Sequence, residues 1–158
     1  KKHLNRALYH DRGIYSPGVI FERNDLKAKA DVITCAAPNF ATAYAYQSVT
    51  KEENSESLRN RIDFILSMAA ANEVDTLILG AFGSGVFGQD AAEVAEIFKT
   101  YLKNKYERVF KKVIFAVPSG NGNYEAFVNT FANADKVISS EAYAVVPVPG
   151  YRDGNANL

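Results

Sequence analysis

A glycine-rich segment in the middle of the chain has the clearest potential for chemistry. Residues 83–88 read Gly-Ser-Gly-Val-Phe-Gly, which satisfies the pattern G-x-G-x-x-G, and they lie between an apolar run at 76–79 and a helix predicted to begin at Asp90. At such a junction, backbone N–H groups and the helix dipole favour an anion, and glycine lets the backbone approach ligand oxygens closely. The sequence therefore predicts a phosphate-binding loop whose ligand contacts come from Gly83, Ser84, Gly85, Val86, Phe87 and Gly88.

Two common phosphate-binding motifs do not fit this segment. A dinucleotide-binding Rossmann unit carries an acidic ribose ligand at the end of the next strand, about 20 residues on. The next predicted strand ends Ala116-Val117-Pro118-Ser119, without a carboxylate. A P-loop requires Lys-Ser or Lys-Thr directly after its glycines, and that pair is missing here. A nucleotide-dependent oxidoreductase is therefore a disfavoured interpretation.

Few other side chains are good candidates. Asn39 follows a predicted strand whose end should lie beside the loop, so it is a candidate ligand-binding residue, and a turn-capping role is an equally good interpretation. Cys35 has no neighbouring histidine or cysteine, which favours a small buried hydrophobe over a nucleophile. His3 and His10 lack a carboxylate partner and make a poor zinc site. We predict no metal site and no cofactor.

Alternating strands and helices must position these residues. An apolar run at 31–38 ends at a proline, which is typical of a buried strand that enters a loop, and we expect this loop to continue to about residue 54. The further predicted elements are an amphipathic helix over 55–71, a strand covered on both faces over 76–79, a capped helix from Asp90, a strand over 112–117 and a helix over 124–131. Right-handed crossovers then give an α/β domain with a largely parallel sheet and helices on both faces.

The two ends of the chain show weaker patterns. We predict a helix over residues 1–10, a strand over 18–22, and a strand over 142–147 before a polar tail at 151–158. No repeat or linker interrupts the sequence, so residues 1–158 are expected to form one domain.

The composition narrows the classes of partner. Eighteen basic and eighteen acidic residues cancel, so no general field would hold a nucleic-acid backbone or an anionic membrane. The single cysteine forms no internal disulfide, and no apolar stretch of about 20 residues is present to span a bilayer. These features predict a cytoplasmic protein and leave its oligomeric state open.

Four stretches, taken in order, resemble a known family. They begin at Tyr9 (Tyr-His-Asp-Arg-Gly-Ile-Tyr-Ser-Pro-Gly-Val-Ile-Phe), at Asp31 (Asp-Val-Ile-Thr-Cys-Ala-Ala-Pro-Asn), at Leu79 (Leu-Gly-Ala-Phe-Gly-Ser-Gly-Val-Phe-Gly-Gln-Asp-Ala-Ala-Glu-Val-Ala) and at Val113 (Val-Ile-Phe-Ala-Val). Together they are similar to macrodomains, and closely to the microbial-type poly(ADP-ribose) glycohydrolases.

This resemblance implies a macrodomain-like, three-layer α/β/α fold with a mostly parallel mixed sheet, truncated at its N-terminal side. It also implies that ADP-ribose or poly(ADP-ribose) is the partner, that the loop from Ser84 to Gly88 wraps the diphosphate, and that Phe87 packs against the distal ribose.

One element of the family pattern has no counterpart in the chain. The family cleaves the ribose–ribose bond with a Gly-Gly-Gly loop followed by Gln-Glu-Glu, whose second glutamate is the acid, and the chain contains neither run. In the family this motif lies upstream of the Tyr-Ser-Pro segment, so we expect the chain to begin after it, and no catalytic residue is assigned. Gln47, Glu52 and Glu53 are not contiguous and are expected in a solvated loop.

Two functions of different class follow. The chain is either the ADP-ribose-binding portion of a glycohydrolase whose acid lies elsewhere, or a non-catalytic module that binds ADP-ribose or a related nucleotide. The sequence leaves open whether the ligand is polymer, a protein-linked monomer, free ADP-ribose or a signalling derivative.

Overall fold

The computed structural model describes residues 7–132 and 143–148. Three strands form a parallel sheet in the order β3-β4-β5, and β1 and β2 form a separate antiparallel pair. The α/β class with a parallel main sheet is confirmed. The elements along the chain are β1 (Gly13–Arg23), β2 (Leu26–Cys35), α1 (Phe40–Tyr46), α2 (Lys51–Ala71), β3 (Thr76–Leu79), α3 (Ala91–Lys103), β4 (Lys112–Pro118), α4 (Asn123–Ala132) and β5 (Tyr143–Val148).

The ends agree with the sequence in part. The strand expected over 18–22 lies within β1, and the strand expected over 142–147 coincides with β5 from residue 143 onwards, residue 142 lying outside the described residues. Residues 7–8 form a turn rather than part of the predicted helix, while residues 1–6 and the polar tail at 151–158 lie outside the described residues.

The pairing of β1 with β2 differs from the buried strand expected at 31–38. Arg23 pairs with Leu26 across a two-residue turn, in which Asn24 has a left-handed φ of 53°. Strands joined by so short a turn pair only in antiparallel fashion. Consequently β2 lies in a hairpin rather than in the parallel sheet, and the strand predicted to be buried is half-buried to exposed.

A bulge in β1 accommodates the Ser-Pro-Gly sequence. The register shifts between Ser16 and Val19, where Pro17 has no N–H to donate to a ladder. Gly18 adopts a φ of 67° and donates its N–H to Asp31 Oδ1 at 2.7 Å. The Tyr15 hydroxyl donates to the other oxygen of the same carboxylate. Asp31 therefore holds the bulge from the opposite strand.

The predicted loop to residue 54 is wrong, because two helices interrupt it. Asn39 caps α1, and Thr50 with Glu53 forms a complete capping box at the start of α2. Since a capping box satisfies two otherwise free N–H groups, α2 begins at Lys51, four residues before the helix predicted over 55–71.

The core surrounds Phe115 of β4. Its ring lies 5.5 Å from Phe98 of α3, 5.2 Å from Phe127 of α4 and 4.6 Å from Phe131 of α4, measured between ring centroids. Buried residues of α2 complete this cluster: Leu58, Ile62, Leu66 and Ala69. Helices α3 and α4 thus pack against the same face of the sheet, and α2 contributes buried residues to the same cluster.

The opposite face of the sheet is more open. Leu77 is 6% exposed, whereas Ile78, the next residue of β3, is 72% exposed. Ile78 lies beside Ile114 of β4, whose side chain is only partly buried. The prediction that the strand over 76–79 is covered on both faces is therefore wrong within the described residues.

Arg61 joins the residues before β1 to the end of β2. Its fully buried guanidinium donates to Asp11 Oδ1 at 2.8 Å, to the Leu8 carbonyl at 3.2 Å and to the Ala36 carbonyl. Each of these bonds spans a long stretch of sequence, so Arg61 fixes the N-terminal segment against α2.

Candidate functional site

The glycine loop leaves β3 after Leu79 and ends at α3. It folds onto itself through short-range bonds: Ser84 N–H donates to the Ala81 carbonyl at 3.0 Å, and Gly88 N–H donates to the Gly85 carbonyl at 3.0 Å. Because α3 begins where the loop ends, the loop lies at the positive end of a helix dipole. Asp90 caps that helix through Oδ1, which accepts from Glu93 N–H at 2.9 Å.

Three consecutive peptide groups of the loop remain available to a ligand. The N–H groups of Gly85, Val86 and Phe87 have no acceptor among the described residues, and Gly85 and Val86 are exposed. The simplest expectation for such a loop is five free N–H groups, from Ser84 to Gly88. The N–H groups of Ser84 and Gly88, however, donate to carbonyls of the loop itself. A group of free N–H groups at a helix N-terminus can bind an anion such as phosphate.

The three glycines of the motif have different roles. Gly83 has a φ of 78°, and a Cβ there would lie 2.7 Å from Gln89 Cγ and 2.8 Å from Ala37 Cβ. Gly88 has a φ of 71° beside Ala41. A Cβ on Gly85 would meet no atom within 4 Å. The fold requires the outer two glycines, while the middle one borders open space.

Ser84 presents an unsatisfied hydroxyl. Its Oγ is buried and has no hydrogen-bond partner among the described residues. Its carbonyl accepts from Asn123 Nδ2, at the start of α4, at 3.2 Å. Buried hydroxyls usually have hydrogen-bond partners. The unpaired Oγ of Ser84 is therefore available to donate to, or accept from, a bound molecule.

The segment around Asn39 forms the neighbouring wall of the loop. Asn39 Oδ1 accepts from Thr42 N–H at 3.1 Å, which confirms the capping interpretation of this residue. Its Nδ2 has no acceptor among the described residues and remains available. Ala41 N–H donates to the Phe87 carbonyl at 3.0 Å, and the Tyr9 ring lies 6.2 Å from the Phe87 ring. Phe87 is therefore held between the N-terminal segment and α1.

Two residues of the site were not predicted from the sequence. Gln89 and Asn54 are buried and bond to each other beneath the loop. The only signal was an amide directly after the last glycine, and Asn54 was assigned to a loop rather than to a helix. Their contact depends on tertiary packing across 35 positions of sequence.

The remaining candidates lie apart from the glycine loop. The predicted solvated loop is wrong for Glu52 and Glu53, which occupy the first turn of α2 although they are exposed. Gln47 caps the end of α1 and accepts from Ala7 N–H at 3.2 Å. None of these three side chains forms a hydrogen bond to the glycine loop in the described part of the chain.

Among the described residues, neither the thiol of Cys35 nor any group of metal-binding side chains forms a reactive centre. Burial raises the pKa of Cys35, whose Sγ donates to the Arg12 carbonyl at 3.2 Å. A raised pKa disfavours the thiolate, so Cys35 lacks the environment of a nucleophile. His10 is exposed, and His3 lies outside the described residues. Within the described ranges, no three His, Cys, Asp or Glu side chains are grouped as metal ligands would be.

Comparison with known proteins gives a consistent family of structures. No protein-family model matches the sequence, and no curated protein matches it. Among solved structures, the poly(ADP-ribose) glycohydrolase of Deinococcus radiodurans in complex with ADP-ribose is 32% identical, with a TM-score of 0.75 over 80% of this chain and 54% of that one. Its apo form gives the same identity and TM-score.

A second bacterial enzyme agrees with the first. The poly(ADP-ribose) glycohydrolase of Thermomonospora curvata, bound to the inhibitor ADP-HPD, is 35% identical, with a TM-score of 0.70 over 78% of this chain and 50% of that one. The chain therefore spans about half the length of the solved structures that it matches.

The parallel sheet, the glycine loop at a strand end and the capped helix after it define a macrodomain-like α/β domain. Within that class, the solved structures that resemble the chain in fold and sequence are bacterial poly(ADP-ribose) glycohydrolases. In the part of the chain that the structure describes, no helix has the length and hydropathy needed to cross a bilayer.

Proposed function

We propose that this domain binds ADP-ribose at the glycine loop and forms the ADP-ribose-binding portion of a poly(ADP-ribose) glycohydrolase, an enzyme that hydrolyses ribose–ribose glycosidic bonds. The observation that carries the proposal is the run of three free N–H groups at Gly85, Val86 and Phe87, next to the N-terminus of α3. The complex of the similar Deinococcus radiodurans enzyme with ADP-ribose supports it.

The neighbouring residues take complementary roles in this proposal. The free N–H groups of the loop bind the diphosphate, and the Ser84 hydroxyl gains its missing partner from a ligand oxygen. Phe87 packs against the distal ribose, and Asn39 donates through Nδ2. Gly83 and Gly88 shape the loop and contact the ligand only through the backbone.

The chain supplies charge stabilisation but no identified acid. Cleavage of a ribose–ribose bond needs a protonated carboxyl at the leaving oxygen, and the Gly-Gly-Gly and Gln-Glu-Glu runs that provide it in the family are not found in residues 1–158. A bound diphosphate beside the reacting ribose would still stabilise a developing oxocarbenium ion. We therefore propose that this chain by itself binds without cleaving.

Binding is tested by calorimetry of the 158-residue chain with ADP-ribose, AMP and NAD in parallel. We expect the tightest binding for ADP-ribose, because AMP lacks the second phosphate and the distal ribose, and because nicotinamide in NAD occupies the position next to Phe87. Equal affinity for AMP and ADP-ribose would contradict a role of the loop in binding the diphosphate.

Catalysis is tested by incubating the folded chain with poly(ADP-ribose) and measuring released ADP-ribose against a heat-treated control. General acid catalysis contributes about 10²–10⁴-fold to the rate, so we expect no release above the control. Robust turnover would overturn the division between a binding portion and a separate acid, and would require a carboxylate of this chain to reach the site.

The natural partner and location belong to the same proposal. Poly(ADP-ribose) presents the same diphosphate and ribose groups as the monomer, so the loop fits both. The lone Cys35, whose thiol is free, supports a cytoplasmic protein.

A further inference from the structure

Two buried amide side chains meet directly beneath the glycine loop. Gln89, at the end of the loop, is 5% exposed, and Asn54, in the first turn of α2, is 3% exposed. Asn54 Nδ2 donates to Gln89 Oε1 at 2.9 Å, and Gln89 Nε2 donates back to Asn54 Oδ1 at 2.9 Å. Gln89 Nε2 also donates to the Pro38 carbonyl at 2.7 Å. A buried amide with its groups satisfied in this way is held in one orientation.

This pair is unusual because few polar side chains are buried in the described ranges. Of the buried polar or charged side chains in the described ranges, Gln89 and Asn54 are two, and Arg61 is the other. Arg61 joins the N-terminal segment to the end of β2, away from the loop bonds described above. Of these three residues, Gln89 alone forms a hydrogen bond to a residue of the glycine loop in the described ranges.

Gln89 closes the loop as well as anchoring it. The backbone N–H of Gln89 donates to the Gly83 carbonyl at 3.1 Å. The Cγ of its side chain takes up the space that a Cβ on Gly83 would need. The free N–H groups of Gly85, Val86 and Phe87 lie within the stretch that this bond closes. The position of that stretch therefore depends on where the Gln89 side chain is held.

The same side chain reaches the second wall of the site. The Pro38 carbonyl that Gln89 holds belongs to the residue directly before Asn39. One amide thus links three parts of the chain: the loop, the segment between β2 and α1, and the start of α2.

We infer that Gln89, held by Asn54, is a positioning residue that fixes the free N–H groups of the loop relative to Asn39. The inference rests on the proposed function, because it assigns those groups to a ligand. Gln89 touches no ligand in this arrangement and acts through the backbone of residues 83–88. The hydrogen bonds of the Gln89 side chain are directional. An apolar side chain of similar size would fill the same space but would not fix the position of the loop.

The test uses Gln89→Leu and Asn54→Leu in the full chain, with three measurements on each. The first is hydrogen exchange of the Ser84 and Gly88 amides without ligand, the second is calorimetry with ADP-ribose, and the third is the thermal midpoint. We expect faster exchange at both amides and a loss of about tenfold or more in ADP-ribose affinity for Gln89→Leu. Asn54→Leu should show smaller changes in the same direction, because Gln89 keeps its bond to Pro38.

Ser67→Ala is the matched control on the same helix. It removes a 2.6 Å hydrogen bond between Ser67 Oγ and the Tyr106 hydroxyl. Ser67 lies about 20 Å further along α2 than Asn54 at the helical rise per residue. We expect it to lower the thermal midpoint without changing loop exchange or ADP-ribose affinity. A loss of affinity in Ser67→Ala equal to that in Gln89→Leu would show that general stability, not loop position, governs binding.

A swapped pair tests the geometry itself. Gln89→Asn alone shortens the side chain at position 89 by one methylene and moves its amide away from Asn54. Adding Asn54→Gln lengthens the side chain at position 54 by one methylene, so that the two amides can meet again. Recovery of affinity in the double variant supports positioning. If Gln89→Leu does not fold, the comparison of Asn54→Leu with the swapped pair decides the question.

The two proposals fail in different ways. Unchanged exchange and unchanged affinity in folded Gln89→Leu and Asn54→Leu would overturn the positioning role of Gln89. Faster loop exchange in these variants, together with no ADP-ribose binding by the unaltered chain, would leave the positioning role intact and overturn the proposed function.

Discussion

Single residues of the glycine loop divide into those that the fold requires and those that it leaves open. Gly83 and Gly88 have left-handed φ values and near neighbours, whereas Gly85 has neither. Ser84 presents a hydroxyl without a partner in the described part of the chain. Substitutions at these positions should therefore separate an effect on binding from an effect on folding.

Gly85→Val should abolish ADP-ribose binding and leave the fold intact. The added methyl groups enter open space in the free protein but occupy the volume that a diphosphate would fill against the loop. The measurement is calorimetry combined with a thermal melt. Gly83→Val is the contrasting variant, since its Cβ would clash with Gln89 and its φ is strained, and it should lower the thermal midpoint. Unchanged affinity in folded Gly85→Val would show that the ligand binds elsewhere.

Ser84→Ala should weaken ADP-ribose binding without destabilising the free protein. A buried hydroxyl without a partner costs stability, so its removal should leave the free energy of unfolding unchanged or raise it by up to about 1 kcal/mol. Urea unfolding and calorimetry measure the two effects. A clear loss of stability would mean that the hydroxyl already has a partner in the free protein.

Secondary-structure elements were predicted best where local signals decide them. The strand over 76–79 and the helix after Asp90 match β3 and α3, because an apolar run and a capping residue act within a few positions. The β1–β2 hairpin was not predicted, although its Asn24-Asp25 turn is a local signal, since the proline at 17 obscured the alternation of β1. The Gln89–Asn54 contact could not be predicted at all, because it depends on how α2 packs beneath the loop.

Arg61→Met should destabilise the domain by about 2–4 kcal/mol. The substitution keeps much of the apolar stem but leaves the Leu8 and Ala36 carbonyls without their donor. Arg59→Met, an exposed change on the same helix, is the control and should alter stability by less than about 0.5 kcal/mol. Urea unfolding of both variants provides the comparison, and equal stabilities would contradict the role assigned to Arg61.

The hairpin should lose stability in acid through Asp31. The bond from Tyr15 and then that from the Gly18 N–H lower the pKa of Asp31 below its usual value of 3.8. A carboxylate whose pKa falls on folding stabilises the protein above its unfolded pKa, and this contribution disappears as the pH falls through the folded pKa. Asp31→Asn should therefore have a lower thermal midpoint at pH 7, with the difference vanishing in acid.

Asp25→Asn, at the exposed turn of the same hairpin, is the control for that pH series. Its side chain has no hydrogen bond or ion pair in the described part of the chain, so its thermal midpoint should follow that of the unaltered protein at every pH. A constant difference between Asp31→Asn and the unaltered protein would contradict the assignment of the acid effect to Asp31.

The whole molecule has an asymmetric sheet. The helices bury the face that carries Leu77, Val113, Phe115 and Val117, whereas Ile78 on the other face is 72% exposed. Among the described strands, in the order β3-β4-β5, β3 pairs with β4 only. An exposed apolar residue on an edge strand favours association with other chains.

Ile78→Thr should reduce self-association and the binding of an apolar dye. Threonine keeps the β-branch that suits a strand, so the fold should persist. Leu77→Thr is the paired variant on the buried face and should lower the free energy of unfolding by about 2–4 kcal/mol. Light scattering against concentration checks the first effect, and an unchanged profile for Ile78→Thr would show that this face does not drive association.

The β1–β2 hairpin and the parallel sheet should form at different stages of folding. The β1–β2 pair is joined by a two-residue turn, whereas β3 and β4 are joined by a long crossover that contains α3. Contacts between distant positions form slowly because the chain must first close a long loop. The glycine loop lies inside that crossover, so we expect its free N–H groups to acquire their arrangement late in folding. ADP-ribose should consequently bind the completed domain and not its early intermediates, which makes ligand binding a late reporter of refolding.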